Sequence, residues 1–175
     1  LSTKDNEGGA ATALDLAMAA SVGGERVLIL DADLHGRSLS KAVGPASKRG
    51  IYEVLHNQMP LRDAVQVDAK SGLAVLAVSS ASIGLNKPLT RDQLTSLIAT
   101  AKNDFDFIVI SGAAVLDDPD VIGLGTVADT VVLVAQAGVT RRDEIAAAVR
   151  LLKPLQRKVK GAVLTANADV SARNG

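Results

Sequence analysis

The sequence predicts an α/β protein of three layers, with helices on both faces of a mostly parallel central sheet. Three observations carry this expectation. The 175 residues are 47% hydrophobic but only 2% aromatic, so the core must be built from Ala, Val, Leu and Ile, a mix that suits helices packed on a buried parallel sheet. Five short apolar runs recur along the chain, and none alternates cleanly between apolar and polar, as strands buried on both faces would read. Helical patterns lie between the runs, and such alternation implies right-handed βαβ units.

Taken in order, residues 10 to about 22 form an Ala-rich helix with Leu14, Ala17, Met18 and Ser21 on one side, stopped by Gly23–Gly24. The first strand is Arg26–Asp31 (RVLILD), and the second is Leu73–Val78 (LAVLAV). Thr90 and Gln93 have the spacing of a capping box, and Leu94, Leu97, Ile98 and Ala101 then mark one helical face. Phe105–Ile110 (FDFIVI) is the third strand and Thr130–Ala135 (TVVLVA) the fourth. Thr140 is placed to cap a helix whose buried stripe is Ile145, Val149 and Leu152, ending before Pro154. Val159–Leu164 (VKGAVL) is the last strand. With no repeat, linker or low-complexity segment, residues 1–175 read as one domain.

Composition excludes several classes. There is no cysteine, hence no disulfide framework, thiolate zinc site or cysteine nucleophile. The formal net charge is zero, with 19 basic and 19 acidic residues, where a nucleic-acid or anionic-membrane surface would show a basic excess. No run has the 18 or so apolar residues of a membrane span, and no signal-peptide pattern is present. The chain opens at Leu1, without Met, in what reads as a loop, so a piece of a longer or processed chain is expected. His35 and His56 are isolated, with no carboxylate at ligand spacing and no nucleophile elbow beside either.

In sheets of this class ligands sit beyond the carboxyl ends of the strands, which singles out the loops Ser2–Gly9, the one after Leu30, and the one running from Ser111 to Asp120. A phosphate-binding loop needs glycines for close backbone approach, a lysine for the β/γ charge, and a hydroxyl for magnesium. In STKDNEGGA, Gly8 sits where the last loop glycine belongs, but Gly9 and Ala10 follow it; on composition alone a Gly-Gly before an Ala-rich helix also reads as a plain helix start. RVLILDADL ends a strand in Asp31 and Asp33. Two carboxylates at a strand tip suit magnesium, and equally they suit capping of the following turn.

The order of S-x-x-x-x-E-G-G-A, RVLILDADL, GIYEVLHNQMPLRDAV, GLAVLAVSS, FDFIVISGAAVLDDPD, ADTVVLVAQAGVTRRDEI and VKGAVLTAN resembles the bacterial tyrosine autokinases. These are cytoplasmic ATPase domains of exopolysaccharide chain-length regulators, within the P-loop superfamily of the septum-site and partitioning ATPases. The resemblance spans essentially the whole chain and implies a P-loop NTPase-like fold. Carried over by position, Asp31 and Asp33 match magnesium-binding and catalytic carboxylates, and Gly8 matches the last loop glycine. Gly9 replaces the phosphate-binding lysine, Ala10 the magnesium-binding hydroxyl, and Ser111 a metal-orienting aspartate. Asp120 matches a downstream acidic position, and Thr165 stands where relatives contact the base through Asn, with Asn167 two residues on. Lys4, five residues before Gly9, has the spacing of the partitioning ATPases' extra lysine, or is a solvated loop lysine. The tyrosine-rich tail is absent; Tyr52 is the only tyrosine and sits in an amphipathic segment, where packing suits it.

Each hydrogen bond to a charged group is worth about 1.5–3 kcal/mol. Losing lysine and hydroxyl together would weaken nucleotide binding by about 3–6 kcal/mol, on the order of 10²–10⁴-fold. The expectation is a pseudoenzyme with degenerate Walker motifs and ATP or ADP with magnesium bound weakly or not at all. It would scaffold exopolysaccharide biosynthesis or export in the cytoplasm at the inner membrane, docking on a membrane chain-length regulator or on another copy. The alternative is an ATP-binding ATPase or tyrosine kinase with a deviant loop, in which Lys4, Asp31, Asp33 and Asp120 suffice. A third reading is a binder of another anion in the vacated loop.

Overall fold

The computed structural model describes residues 1–43, 48–80, 89–118 and 121–166, and the chain falls into two compact units, residues 10–112 and residues 1–9 with 113–175. The apolar runs become strands in both.

In residues 10–112 the sheet order is β2 (Gln66–Val67), β3 (Ala74–Leu76), β1 (Val27–Asp31) and β4 (Phe107–Ser111). Strand β1 (Val27–Asp31) is buried at every position, as a continuous VLIL run requires when both faces are covered. It pairs in parallel with β3 (Ala74–Leu76) and β4 (Phe107–Ser111). A two-residue strand, β2 (Gln66–Val67), adds an antiparallel edge to β3; nothing in its sequence announces it. Ile29, Val75 and Val109 from three neighbouring strands meet Ala13 and Ala17 of α1 (Gly9–Val22) and Leu39 of α2 (Ser38–Val43) in one cluster.

The stripe of α1 differs from expectation in part. Ala17 is buried as expected and Ala13 with it, while Met18 is 46% exposed and Ser21 also faces outward. The helix stops where expected. Gly24 adopts φ +95°, and the N–H of Glu25 reaches back to the carbonyl of Ala20 at 3.3 Å, a glycine-terminated helix end. Two further short helices, α3 (Ile51–His56) and α4 (Leu61–Ala64), follow α2. At the start of α3 the N–H of Ile51 donates to Ala77 O at 2.9 Å, and a Cβ on Gly50 would lie 2.3 Å from that oxygen. Tyr52 packs its ring on His56, centroids 4.5 Å apart, the packing role its segment suggested. Helix α5 (Arg91–Ala101) carries the expected capping box, with Thr90 Oγ1 accepting from Gln93 N at 3.3 Å and Gln93 Oε1 accepting from Thr90 N at 3.0 Å. It buries Leu94, Leu97 and Ala101.

In the other unit, β5 (Val131–Gln136) and β6 (Val159–Thr165) run parallel. Residues 1–3 join β5 as well, since Val134 N donates to Leu1 O at 2.7 Å and Val134 O accepts from Thr3 N at 2.8 Å. Strand β6 is not buried on both faces as its apolar run suggested; among the described residues Val163 is 38% and Leu164 67% exposed. Helix α6 (Ile122–Val127) precedes β5, and α7 (Arg142–Leu151) follows it. The α7 stripe also departs from expectation: Ala148 and Leu152 are buried but Val149 is 56% exposed. Lys158, just before β6, donates from Nζ to the carbonyls of Thr126 at 2.6 Å and Ala128 at 2.8 Å, closing the carbonyl end of α6.

Candidate nucleotide loop and strand-tip carboxylates

The loop between residues 3 and 9 is built around a residue that sequence reasoning missed. Glu7 is only 2% exposed. Its Oε2 accepts from Lys4 N at 2.9 Å and its Oε1 from the Thr140 hydroxyl at 2.6 Å. A buried carboxylate needs such donors, because an unpartnered one is expensive to desolvate. Thr140 is thereby not the cap of α7. Its oxygen accepts from Gln136 N at 2.7 Å, and the helix instead begins after Arg141, whose N–H donates to Glu144 Oε2 at 2.9 Å.

Thr165 presses on the same loop. Its hydroxyl donates to Glu7 O at 2.9 Å, with Ala135 O at 3.2 Å as a second acceptor. A Cβ on Gly8 would lie 3.0 Å from Thr165 Cγ2, and Gly8 holds φ +85°, so glycine is required there on both counts. Gly9 has a tight neighbour too, since its Cβ would lie 3.2 Å from Ser2 Cβ. Lys4 is half-exposed and bonded through Nζ to Glu144 Oε1 at 3.1 Å; that hydrogen bond and charge hold its pKa above the usual lysine value. Asp5 N donates to Asp117 Oδ2 at 2.9 Å, and Asn6, at φ +62°, donates its N–H to Asp5 Oδ1 at 2.9 Å. Local spacing hinted only at Glu7, three residues after the amide it accepts from; Thr140 and Asp117 are distant in sequence.

The strand-tip carboxylates belong to the other unit. Asp31 is fully buried. Its Oδ1 accepts from Asp33 N at 3.1 Å, and its Oδ2 from both the N–H and the hydroxyl of Ser40, at 2.8 and 2.5 Å. Ser40 Oγ in turn accepts from Val78 N at 2.9 Å, so one carboxylate ties the tip of β1 to α2 and to the segment after β3. Burial pushes the Asp31 carboxyl up to about 6, against the opposing pull of the Ser40 and Asp33 donors. Asp33 accepts from Gly36 N at 2.7 Å through Oδ1 and from the Ser38 hydroxyl at 3.0 Å through Oδ2. Both aspartates thus organise the turn that follows β1, one of the two roles their position allows. On the adjacent strand Ser111 stands in register with Asp31, and Ser111 O accepts from Ala32 N at 2.7 Å. A serine therefore stands on the strand beside the buried aspartate. His35 is exposed. Asp120 and Asn167 lie outside the described residues. Among the described residues no three His, Asp or Glu side chains gather as a metal site.

A family model described as an AAA domain matches residues 2–164. The chain belongs to this AAA-domain family. Two relatives of this AAA domain are the succinoglycan biosynthesis transport protein ExoP of Rhizobium meliloti (strain 1021), 27% identical over 162 residues, and the tyrosine-protein kinase YwqD of Bacillus subtilis (strain 168), 28% identical over 158 residues. The matches cover 91% and 90% of the chain but 21% of ExoP and 67% of YwqD. Among solved structures, the kinase domain of the Escherichia coli tyrosine kinase ETK superposes with TM-score 0.81 at 23% identity, over 94% of this chain and 65% of that one. Cobyrinic acid a,c-diamide synthase from Mycobacterium smegmatis, with bound ADP and magnesium, superposes with TM-score 0.74 at 19% identity, over 94% and 71%. These likenesses establish an α/β P-loop NTPase-like fold with mostly parallel strands. No helix among the described residues is long and apolar enough to cross a membrane.

Proposed function

We propose that this AAA domain is a regulatory or scaffolding module of exopolysaccharide biosynthesis or export whose nucleotide chemistry has been lost or weakened. The observation that carries this reading is the loop end Gly8–Gly9–Ala10, which offers neither the cation nor the hydroxyl that a magnesium nucleotide needs. Ser111 beside Asp31 supports it, as does the engagement of both Asp31 oxygens and both Asp33 oxygens by donors of the chain itself. The residues present do not fit a magnesium nucleotide. Transfer of that kind rests almost wholly on charge placement, so these replacements remove the groups that would do the work. The name of ExoP, a succinoglycan biosynthesis transport protein, supports a polysaccharide-linked setting. There the domain acts at the cytoplasmic face of the inner membrane, docked on a membrane chain-length regulator or on another copy of itself, and neither nucleic acid nor membrane insertion is involved.

Calorimetric titration with ATP and with ADP, each with and without magnesium, tests the reading. Binding absent or in the millimolar range is expected. Micromolar, magnesium-dependent binding would sink it in favour of a second reading, an ATPase or tyrosine kinase with a deviant loop using Lys4, Asp31, Asp33 and Asp120. The ADP and magnesium seen in the cobyrinic acid a,c-diamide synthase structure favour that alternative as far as the fold goes. In that case Asp31→Ala would abolish measured ATP turnover.

A further inference from the structure

Three successive amides of the loop are already bonded to carboxylates of the same chain. Lys4 N donates to Glu7 Oε2, Asp5 N to Asp117 Oδ2 and Asn6 N to Asp5 Oδ1, each at 2.9 Å. The loop's one cation is engaged as well, Lys4 Nζ lying 3.1 Å from Glu144 Oε1. A run of backbone N–H groups in a turn attracts anions because its partial positive charges add. A carboxylate oxygen satisfies such an amide as a phosphate oxygen would.

We propose that this loop is a self-liganded anion seat, with Asp5, Glu7 and Asp117 holding the amides of Lys4, Asp5 and Asn6 and Glu144 holding its lysine, so that phosphate groups are shut out. This deepens the functional reading above and rests on it, adding a cause beyond the residues missing at Gly9 and Ala10. An incoming phosphate must displace carboxylates and would face four of them against a single lysine. Two features fix the closed arrangement. Glu7 is buried and held by the Thr140 hydroxyl, so it cannot swing away without leaving that donor unsatisfied. Thr165 packs where a Gly8 Cβ would sit and donates to Glu7 O, which pins the loop backbone. Asp117 and Glu144 reach the loop from the outside, through contacts at the surface. They are the removable half of the arrangement.

Inorganic triphosphate is the probe, titrated by calorimetry with magnesium into the whole chain as wild type, Asp117→Ala, Glu144→Gln and the double variant. Amide hydrogen exchange is followed on the same samples. Alanine is used at 117 because asparagine would still accept from Asp5 N. The double variant is expected to bind triphosphate at least tenfold more tightly than the wild type, and the Asp5 amide to exchange at least tenfold faster in Asp117→Ala. The proposal is overturned if the double variant still fails to bind at millimolar triphosphate, or if Asp5 exchange is unchanged. Should the double variant lose its fold, Glu144→Gln alone decides: it removes the charge facing Lys4 while its amide oxygen can still accept from Arg141 N, as Glu144 does, and triphosphate affinity within twofold of wild type would overturn the proposal. The functional reading fails on a separate arm, the titration of the wild type with ATP.

Discussion

Asp31 combines full burial with three hydrogen-bond donors, and burial prevails, raising its carboxyl from 3.8 to about 6. The folded protein therefore holds this proton more tightly than the unfolded chain does. The stabilisation is fully present below pH 4 and is lost as pH rises through 6. A shift of that size corresponds to about 3 kcal/mol. Between pH 4 and pH 7 the unfolding free energy of wild type relative to Asp31→Asn should fall by about 2–3 kcal/mol in urea titrations. A difference that does not change with pH would mean that Asp31 is ionised throughout. Gly50 gives a second test at this scale. A Cβ there would meet Ala77 O at 2.3 Å and Ser79 N at 2.8 Å, both backbone atoms that cannot rotate aside. Gly50→Ala should cost about 1–3 kcal/mol, whereas Gly161→Ala, with nothing within 4 Å, should stay within about 0.5 kcal/mol in the same denaturation assay.

Among the elements, α5 is the one whose whole design is local. Thr90 and Gln93 cap it and Leu94, Leu97 and Ala101 face inward, so removing the cap by Thr90→Ala should cost about 1 kcal/mol of stability in chemical denaturation. Such local codes explain what was legible beforehand, including β1, its aspartate tip and the glycine stop of α1. The buried face of α1 was legible only in part, because an Ala-rich helix has little contrast between its sides: Ala17 is buried as its place in the stripe requires, but Ala13 rather than Met18 shares that face. Nor was the cap of α7. Thr140 has the right chemistry for it, but its hydroxyl goes to Glu7, a partner 133 residues away that no local pattern can reveal. Ser40 is hidden in the same way: it sits nine residues beyond Asp31, and only the packing of α2 brings the two together. Of the candidate site, the residue positions were readable from motif order, while the bonds that close the loop were not.

For the whole molecule the sharpest expectation concerns ligand-linked stability. A ligand at 100 times its dissociation constant adds about 2.7 kcal/mol to a folded protein, so millimolar ATP with magnesium should leave the melting temperature of the wild type unmoved. Gly9→Lys with Ala10→Thr restores the missing cation and hydroxyl and should regain nucleotide affinity on the order of 10²–10⁴-fold. For that the Ser2 side chain, 3.2 Å from the new Cβ, must give way by a few tenths of an ångström. Failure to regain affinity would point to the loop's own carboxylates rather than to the absent side chains. The tether from Lys158 to the carbonyls of Thr126 and Ala128 has a different consequence, in reactivity. An amine whose hydrogens are held by two carbonyl acceptors is hindered as a nucleophile, so mild acylation should mark exposed Lys153 and Lys160 before Lys158. That lag vanishes only when the end of α6 parts from the start of β6. The labelling order read by mass spectrometry is thus a built-in clock for the opening of this unit alone.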